Sequence, residues 1–397
     1  MAGTRFRIYL QTPVIGAPFD VPQVVTVNRP PAQIAEGPTD VDTGTGEPLL
    51  RVVDAIKRRF DNRTPYGFMP FDARPWGGAC HAPATPGREG HFDHLDPETQ
   101  PRQFAQAAVY ASIRFTLERW QGYLKKVRRG GLRWHHRPQK AGVDSHLELY
   151  PWVRSTGARA GYGFIELGHG PVAVGRRASS APLWKNFDVI AHEFGHSMLF
   201  SMLGFPRGLS KGAAWYSPQS RRRHGYFLAF HESACDLVAM VASMHHEQVA
   251  AHLLRRTRGD LRKGGNIISR VGELKRAAPD DLGTLVSIRN AANALTLDKL
   301  SVDKHSPHLF SLPLTGAIYD VLVDVYEDKL HTRNFEEALA AARDYLGELL
   351  ARAWGNYQVP YALDYSRVLR ALHAADRDMG GDYGEAIIGR FAARGIN

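Results

Sequence analysis

The sequence predicts an α+β fold in two lobes, a sheet-containing lobe followed by a mainly helical one. Strand-like alternation is confined to segments ending by Leu167, whereas helical periodicity dominates from Phe187 onward. The chain has 397 residues, 44% hydrophobic and 23% charged, enough to bury a large core and too long for a single lobe.

Residues 1–74 read as an N-terminal extension with some β structure and no assignable chemistry. Phe6, Ile8 and Leu10 alternate with polar neighbours, and Val24-Val25-Thr26-Val27 is strand-like. Gly37 to Pro48 is rich in Gly, Pro, Thr and Asp and reads as a loop, and Leu49 to Phe60 as a short helix. Residues 75–204 form the sheet-containing lobe. It begins with a Gly/Pro/His-rich loop from Pro75 to Pro101, where His81, His91 and His94 are too irregularly spaced to suggest more than surface histidines. A helix from Gln103 to Leu124 follows, with Phe104, Ala108, Ile113, Phe115 and Trp120 as its apolar set. Strands are expected over His146–Val153 and Gly161–Leu167. Residues 205–397 form the helical lobe, with helices in parts of Ala213–Thr257 and over Leu314–Tyr326, Asn334–Ala353 and Ser366–His373. No internal repeat interrupts this order.

Composition narrows the function classes. No run of about 18 apolar residues appears, so no membrane span is expected. Met1 to Gln11 lacks the apolar core of a secretory signal and carries Arg5 and Arg7, which places the protein in the cytoplasm or on an export route without a cleaved signal. Cys80 and Cys235 make no disulfide framework; Cys235 reads as packing and Cys80 as a loop thiol. The net charge of +10 and pI near 9.6 favour acidic partners. The basic stretch from Lys125 to Arg137 has no nucleic-acid-binding motif beside it and reads as a solvated helix end, so no nucleic-acid partner is expected.

Chemistry concentrates at His192-Glu193-Phe194-Gly195-His196. Residues four apart share a helix face, so the two imidazoles can grip one metal ion, with the Glu193 carboxylate beside them to accept a proton from water. The string alone is a weak signal. Its setting among Phe187, Val189, Ile190, Met198, Leu199 and Phe200 strengthens it, because a buried helix bears such a polar load only where something satisfies it. A third ligand is available downstream in Glu232, with Asp236 one helical turn further on to accept the free ring N–H of a liganding histidine. The other metal pattern, a third histidine six residues after His196, fails because that position is Met202. The residues therefore suggest a Zn2+-dependent hydrolase.

The two segments resemble the thermolysin family of zinc metallopeptidases, gluzincins whose signature is a His-Glu-x-x-His helix followed by a Glu-x-x-x-Asp helix. Further stretches are similar in the same order: Pro182 to Ala191 leading into the motif, Ser287-Ile288-Arg289-Asn290, His308 followed by Ser311, Gly316, Ala317 and Tyr319, and the ending Phe391 to Ile396. The resemblance covers roughly Gln103 to Asn397. It implies a two-lobed fold with a mixed sheet beside the zinc helix, and a zinc endopeptidase acting on peptide or protein substrates. It implies His192, His196 and Glu232 as metal ligands, Glu193 as general base, His308 as the histidine that stabilises the oxyanion, and Arg289 as the clamp on a substrate carbonyl. His305 is the rival for the role of His308. The family's tyrosine maps to Tyr226 in preference to Tyr216. A sheet edge over Ala160–Gly168, with Gly161 and Phe164, would receive an extended substrate by β-augmentation. The chain departs from the family in a longer gap between His196 and Glu232, which contains Arg221-Arg222-Arg223-His224, and in lacking an acidic cluster for calcium after Asp236. Cys80 has a second reading here as an inhibitory thiolate on the zinc. Two alternatives stand beside the peptidase: a catalytically silent zinc scaffold, and an exported effector protease with a narrow target. Nothing in the sequence indicates an oligomeric state.

Overall fold

The computed structural model describes residues 3–11, 13, 17–34, 36–42, 47–56, 78–134, 146–161, 163–174, 177–204, 218–263, 265–276, 286–302, 304–355 and 364–397. The fold is α+β with a mixed sheet. It divides into two compact units. The first comprises Met1–Gln121, Leu132–Ser201 and Glu273–Val286, and the second Gly122–Gly131, Met202–Gly272 and Ser287–Asn397.

In the first unit, β1 (Thr4–Ile8) and β2 (Gln23–Val27) pair antiparallel, as the alternation of Phe6 and Ile8 predicts. Residues 32–52 do not form a separate extension. They supply β3 (Ala32–Ile34), β4 (Gly37–Thr39) and β5 (Leu50–Val52) to the main sheet, with β6 (Leu147–Tyr150), β7 (Ala158–Gly161) and β8 (Phe164–Leu167). The strand order is β3-β4-β5-β6-β8-β7. The two central steps, β5 to β6 and β6 to β8, are parallel and the rest antiparallel. The loop expected over Gly37–Pro48 therefore begins as a strand. The described part of the helix expected over Leu49–Phe60 holds the strand β5 and no helical turn, its end lying outside the described residues. Gly37 has φ +140°, and a Cβ there would sit 3.2 Å from Val52 Cβ, so this strand starts where only glycine fits easily.

Helix α1 (Pro101–Val127) fulfils the periodicity of Phe104 to Trp120 and extends it. Its residues at four-residue spacing bind the strand ends beneath it. Arg102 Nη1 and Gln106 Nε2 donate to the two oxygens of Asp54 at 2.7 and 3.0 Å. Tyr110 Oη donates to Asp40 Oδ1 at 2.6 Å, and Arg114 pairs with the same carboxylate. Burial lowers the Arg114 pKa to about 10 against the opposing charge of Glu118, and Asp40 pairs with the guanidinium directly. Strands β9 (His169–Val174) and β10 (Arg177–Pro182) form a separate antiparallel hairpin before the metal-motif helix.

Helix α2 (Phe187–Leu203) is buried on all sides, with Phe187, Ile190, Phe194 and Met198 on one face each at most 1% exposed. That is the pattern of a central helix. Asn186 caps it, its Oδ1 accepting from the N–H groups of Asp188 at 3.0 Å and Val189 at 3.4 Å. Trp134 packs edge-on against Phe194.

The second unit is helical: α3 (Pro218–Ser243), α4 (Glu247–Thr257), α5 (Pro307–Phe310), α6 (Leu312–Leu330), α7 (Phe335–Gly355), α8 (Tyr365–Asp378) and α9 (Gly384–Ala392). Strands β11 (Arg270–Arg276) and β12 (Val286–Asn290), whose Glu273–Val286 part counts with the first unit, pair with one another. The stretch Pro307–Leu330 is long and apolar enough to cross a membrane by composition, but 83% of its apolar window is buried inside the protein, as in a core helix. Tyr319 on α6 donates to the Leu261 carbonyl at 2.8 Å, and burial raises its pKa to about 12.

Candidate metal centre

Cap and core together fix what α2 presents. His192 and His196 lie one turn apart with ring centroids 5.0 Å from each other and planes at 85°. Each offers a ring nitrogen, and the two nitrogens lie within 4.8 Å of one another. Both histidines are buried, at 3% and 6% exposure, and Glu193 between them is at 7%. Two imidazoles converging at this spacing on a buried helix are a donor set suited to a borderline-soft divalent cation, so the residues fit zinc. These three residues belong to the first unit.

In the second unit, α3 carries Glu232, Cys235 and Asp236, all buried. Arg289 at the end of β12 reaches both acids. Its Nη1 donates to Glu232 Oε2 at 3.0 Å, and its Nε lies 3.2 Å from Asp236 Oδ1. His308 on α5 completes the group, with Nδ1 2.9 Å from Glu232 Oε2 and 2.8 Å from Arg289 Nη1. One ring nitrogen cannot serve both neighbours at once. Protonated, Nδ1 donates to Glu232; bare, it accepts from Arg289 and leaves the proton on Nε2. The guanidinium thus selects the tautomer with an Nε2–H, and the carboxylate selects the other.

The rival His305 has a local role, its Nδ1 lying 2.9 Å from the N–H and 3.0 Å from the carbonyl of Ser301 in its own turn, and it accepts from the one or donates to the other according to tautomer. Tyr226 on α3 packs edge-on against Phe310, two residues from His308, and against Tyr365. Tyr365 Oη in turn donates to the Phe310 carbonyl at 2.8 Å, which pins α5. Tyr216 lies outside the described residues, as does residue 205–217 of the inserted segment as a whole. In the C-terminal stretch, Arg394 is held by side chains of the same unit. Its guanidinium bonds Asp320 Oδ2 and Asn293 Oδ1 at 2.7 and 2.9 Å, and Asn293 holds the carbonyls of Asn290 and Leu312. The chain end therefore braces the segment that follows Arg289.

The expected substrate edge needs correcting. Phe164 lies on β8, which is paired on both sides, and its ring is buried with Val53 and Tyr150. The outer strand is β7, which the sequence does not reveal. A Cβ on Gly161 would fall 2.1 Å from the Phe164 ring, so Gly161 makes room for that ring. Phe164 is therefore not placed to display a substrate-binding side chain, whereas Gly161 lies on the outer strand. Cys80 packs against the same small cluster and so has an ordinary structural place. Neither cysteine forms a disulfide. Cys235, read from the sequence as packing, is a buried thiol three residues from Glu232 on α3, and its residue type makes it a candidate ligand that the sequence reading passed over. No protein-family model matches the chain, and no curated protein matches it.

Proposed function

We propose that the protein is a zinc-dependent endopeptidase, with His192, His196 and Glu232 holding the metal. The observation that carries this reading is the pair of buried imidazoles one turn apart with a buried carboxylate, Glu193, between them. Zinc bound there supplies Lewis-acid polarisation of a carbonyl and lowers the pKa of water towards neutrality. Glu193 accepts the proton of the attacking water and passes it to the leaving amine. His308, in the tautomer whose Nδ1 accepts from Arg289, donates from Nε2 to the carbonyl oxygen as charge develops there. Asp236 orients a liganding imidazole. Tyr226 stands beside α5 as a second donor to the same oxygen. Peptide or protein is the substrate class.

A second reading of the ligand set has its own support. Glu232 Oε2 already takes Arg289 and His308, whereas Cys235 is a wholly buried thiol on the same helix. A His-His-Cys site closed by a further protein group would be structural, and the protein a scaffold. Zinc content and peptide-library digestion with and without chelator separate the two. Chelator-sensitive cleavage, with zinc lost in Glu232→Gln and kept in Cys235→Ser, is the result expected of the peptidase. Zinc without cleavage, lost in Cys235→Ser, is the result expected of the scaffold.

A further inference from the structure

The resemblance implies Arg289 as a clamp on substrate, but its contacts point elsewhere. Its side chain is 8% exposed; Nη1 donates to Glu232, and Nε lies 3.2 Å from Asp236 Oδ1, an ion-pair contact without a hydrogen bond. Glu232 and Asp236 are one turn apart, 9% and 1% exposed, and two ionised acids so placed repel each other and lack water to screen them. A planar guanidinium spanning both is the arrangement that makes this pair tenable in the interior. We infer that Arg289 is the resident counter-cation of Glu232 and Asp236, which organises the two acids and competes with an arriving metal ion for Glu232.

The competition follows from charge. Glu232 Oε2 accepts from Arg289 at 3.0 Å and lies 2.9 Å from His308 Nδ1, so a fixed positive group already sits on the carboxylate the metal would use. A divalent cation joining Glu232 meets that positive group at short range, and its affinity is lower for it. Asp236, contacted through Nε, gives Arg289 a second anchor that it keeps when Glu232 turns to the metal. The counter-cation role has two signatures that a substrate clamp lacks. Removing Arg289 destabilises the metal-free protein, because two buried acids lose the cation that lies against both. It also tightens metal binding, because the incoming ion then becomes that partner.

The inference about metal competition rests on the ligand set proposed above, whereas the effect on the metal-free protein does not. The test uses the full chain as wild type, Arg289→Met and Arg289→Lys. Each is unfolded by urea in the presence of chelator, and each is titrated with Zn2+ against a chromophoric chelator. Arg289→Met is expected to unfold at lower urea and to bind Zn2+ about tenfold more tightly than wild type. Arg289→Lys, which keeps one charge but loses the fork, is expected to lie between them and guards against a Met variant that does not fold. Unchanged chelated stability together with unchanged Zn2+ affinity would leave Arg289 a substrate clamp and overturn the inference. Weaker Zn2+ binding in both variants would overturn it too, by making Arg289 a support of the ligand. A wild type that takes up no Zn2+ would refute the proposed function, while the urea comparison still decides whether Arg289 compensates the two acids.

Discussion

Gln11 Nε2 donates to Asp188 Oδ2 at 2.6 Å, with both residues almost wholly buried. The bond joins the end of the first strand segment to the first turn of α2, four residues ahead of His192, so the N-terminal region takes part in placing the metal-motif helix. Gln11→Leu preserves size but leaves a buried carboxylate without this donor. It should cost about 1–3 kcal/mol in urea unfolding. A loss well below that range would mean that Asp188 finds adequate partners elsewhere.

Two helical glycines should respond to alanine with opposite signs. Gly122 on α1 is exposed, and a Cβ there meets nothing within 4 Å. Gly122→Ala should stabilise the protein by about 0.5–1 kcal/mol through helix propensity. At Gly347 on α7 a Cβ would fall 2.4 Å from the ring of Tyr123. That ring cannot easily withdraw, because Tyr123 Oη donates to Asp344 at 2.7 Å and contacts His245 Nε2 at 2.9 Å. Overpacking at about 1–3 kcal/mol outweighs the propensity gain, so Gly347→Ala should destabilise. Urea midpoints of the two variants check both signs.

Burial lowers the pKa of His224 to about 4. The neutral ring is then favoured by folding, and the unfolded chain binds the extra proton first. Its contribution to stability is complete above the unfolded value near 6.5 and is lost as pH falls from there towards about 4. Replacing it with Asn, which does not titrate, should reduce the loss of stability between about pH 7.5 and pH 5 by about 1 kcal/mol, allowing for solvent around a partly exposed ring. Equal pH dependence in wild type and His224→Asn would show that other groups control this range.

What the sequence disclosed follows from the range of the interactions involved. Helices α1, α2 and α6 are legible because their apolar residues repeat along a single segment. Strands β4, β5 and β7 are not, because Gly37–Thr39 and Ala158–Gly161 have little strand character of their own and Leu50–Val52 is only three residues long. β5 is a strand because β6, distant in sequence, pairs with it, whereas β4 and β7 are strands through short hairpins with β3 and β8. The same contrast holds at the site. The helical spacing of His192 to His196 and of Glu232 to Asp236 is local. The seating of Arg289 on both acids depends on contacts 53 and 57 residues apart in the chain, which spacing alone does not encode.

Metal-dependent hydrolysis through Glu193 is most directly tested by digesting a peptide library with zinc-loaded wild type and zinc-loaded Glu193→Gln at matched metal content, read by mass spectrometry. Cleavage by wild type, with a loss of several orders of magnitude in the variant at undiminished zinc, is the predicted result. Intact peptides with both proteins, or equal cleavage by both, would contradict it.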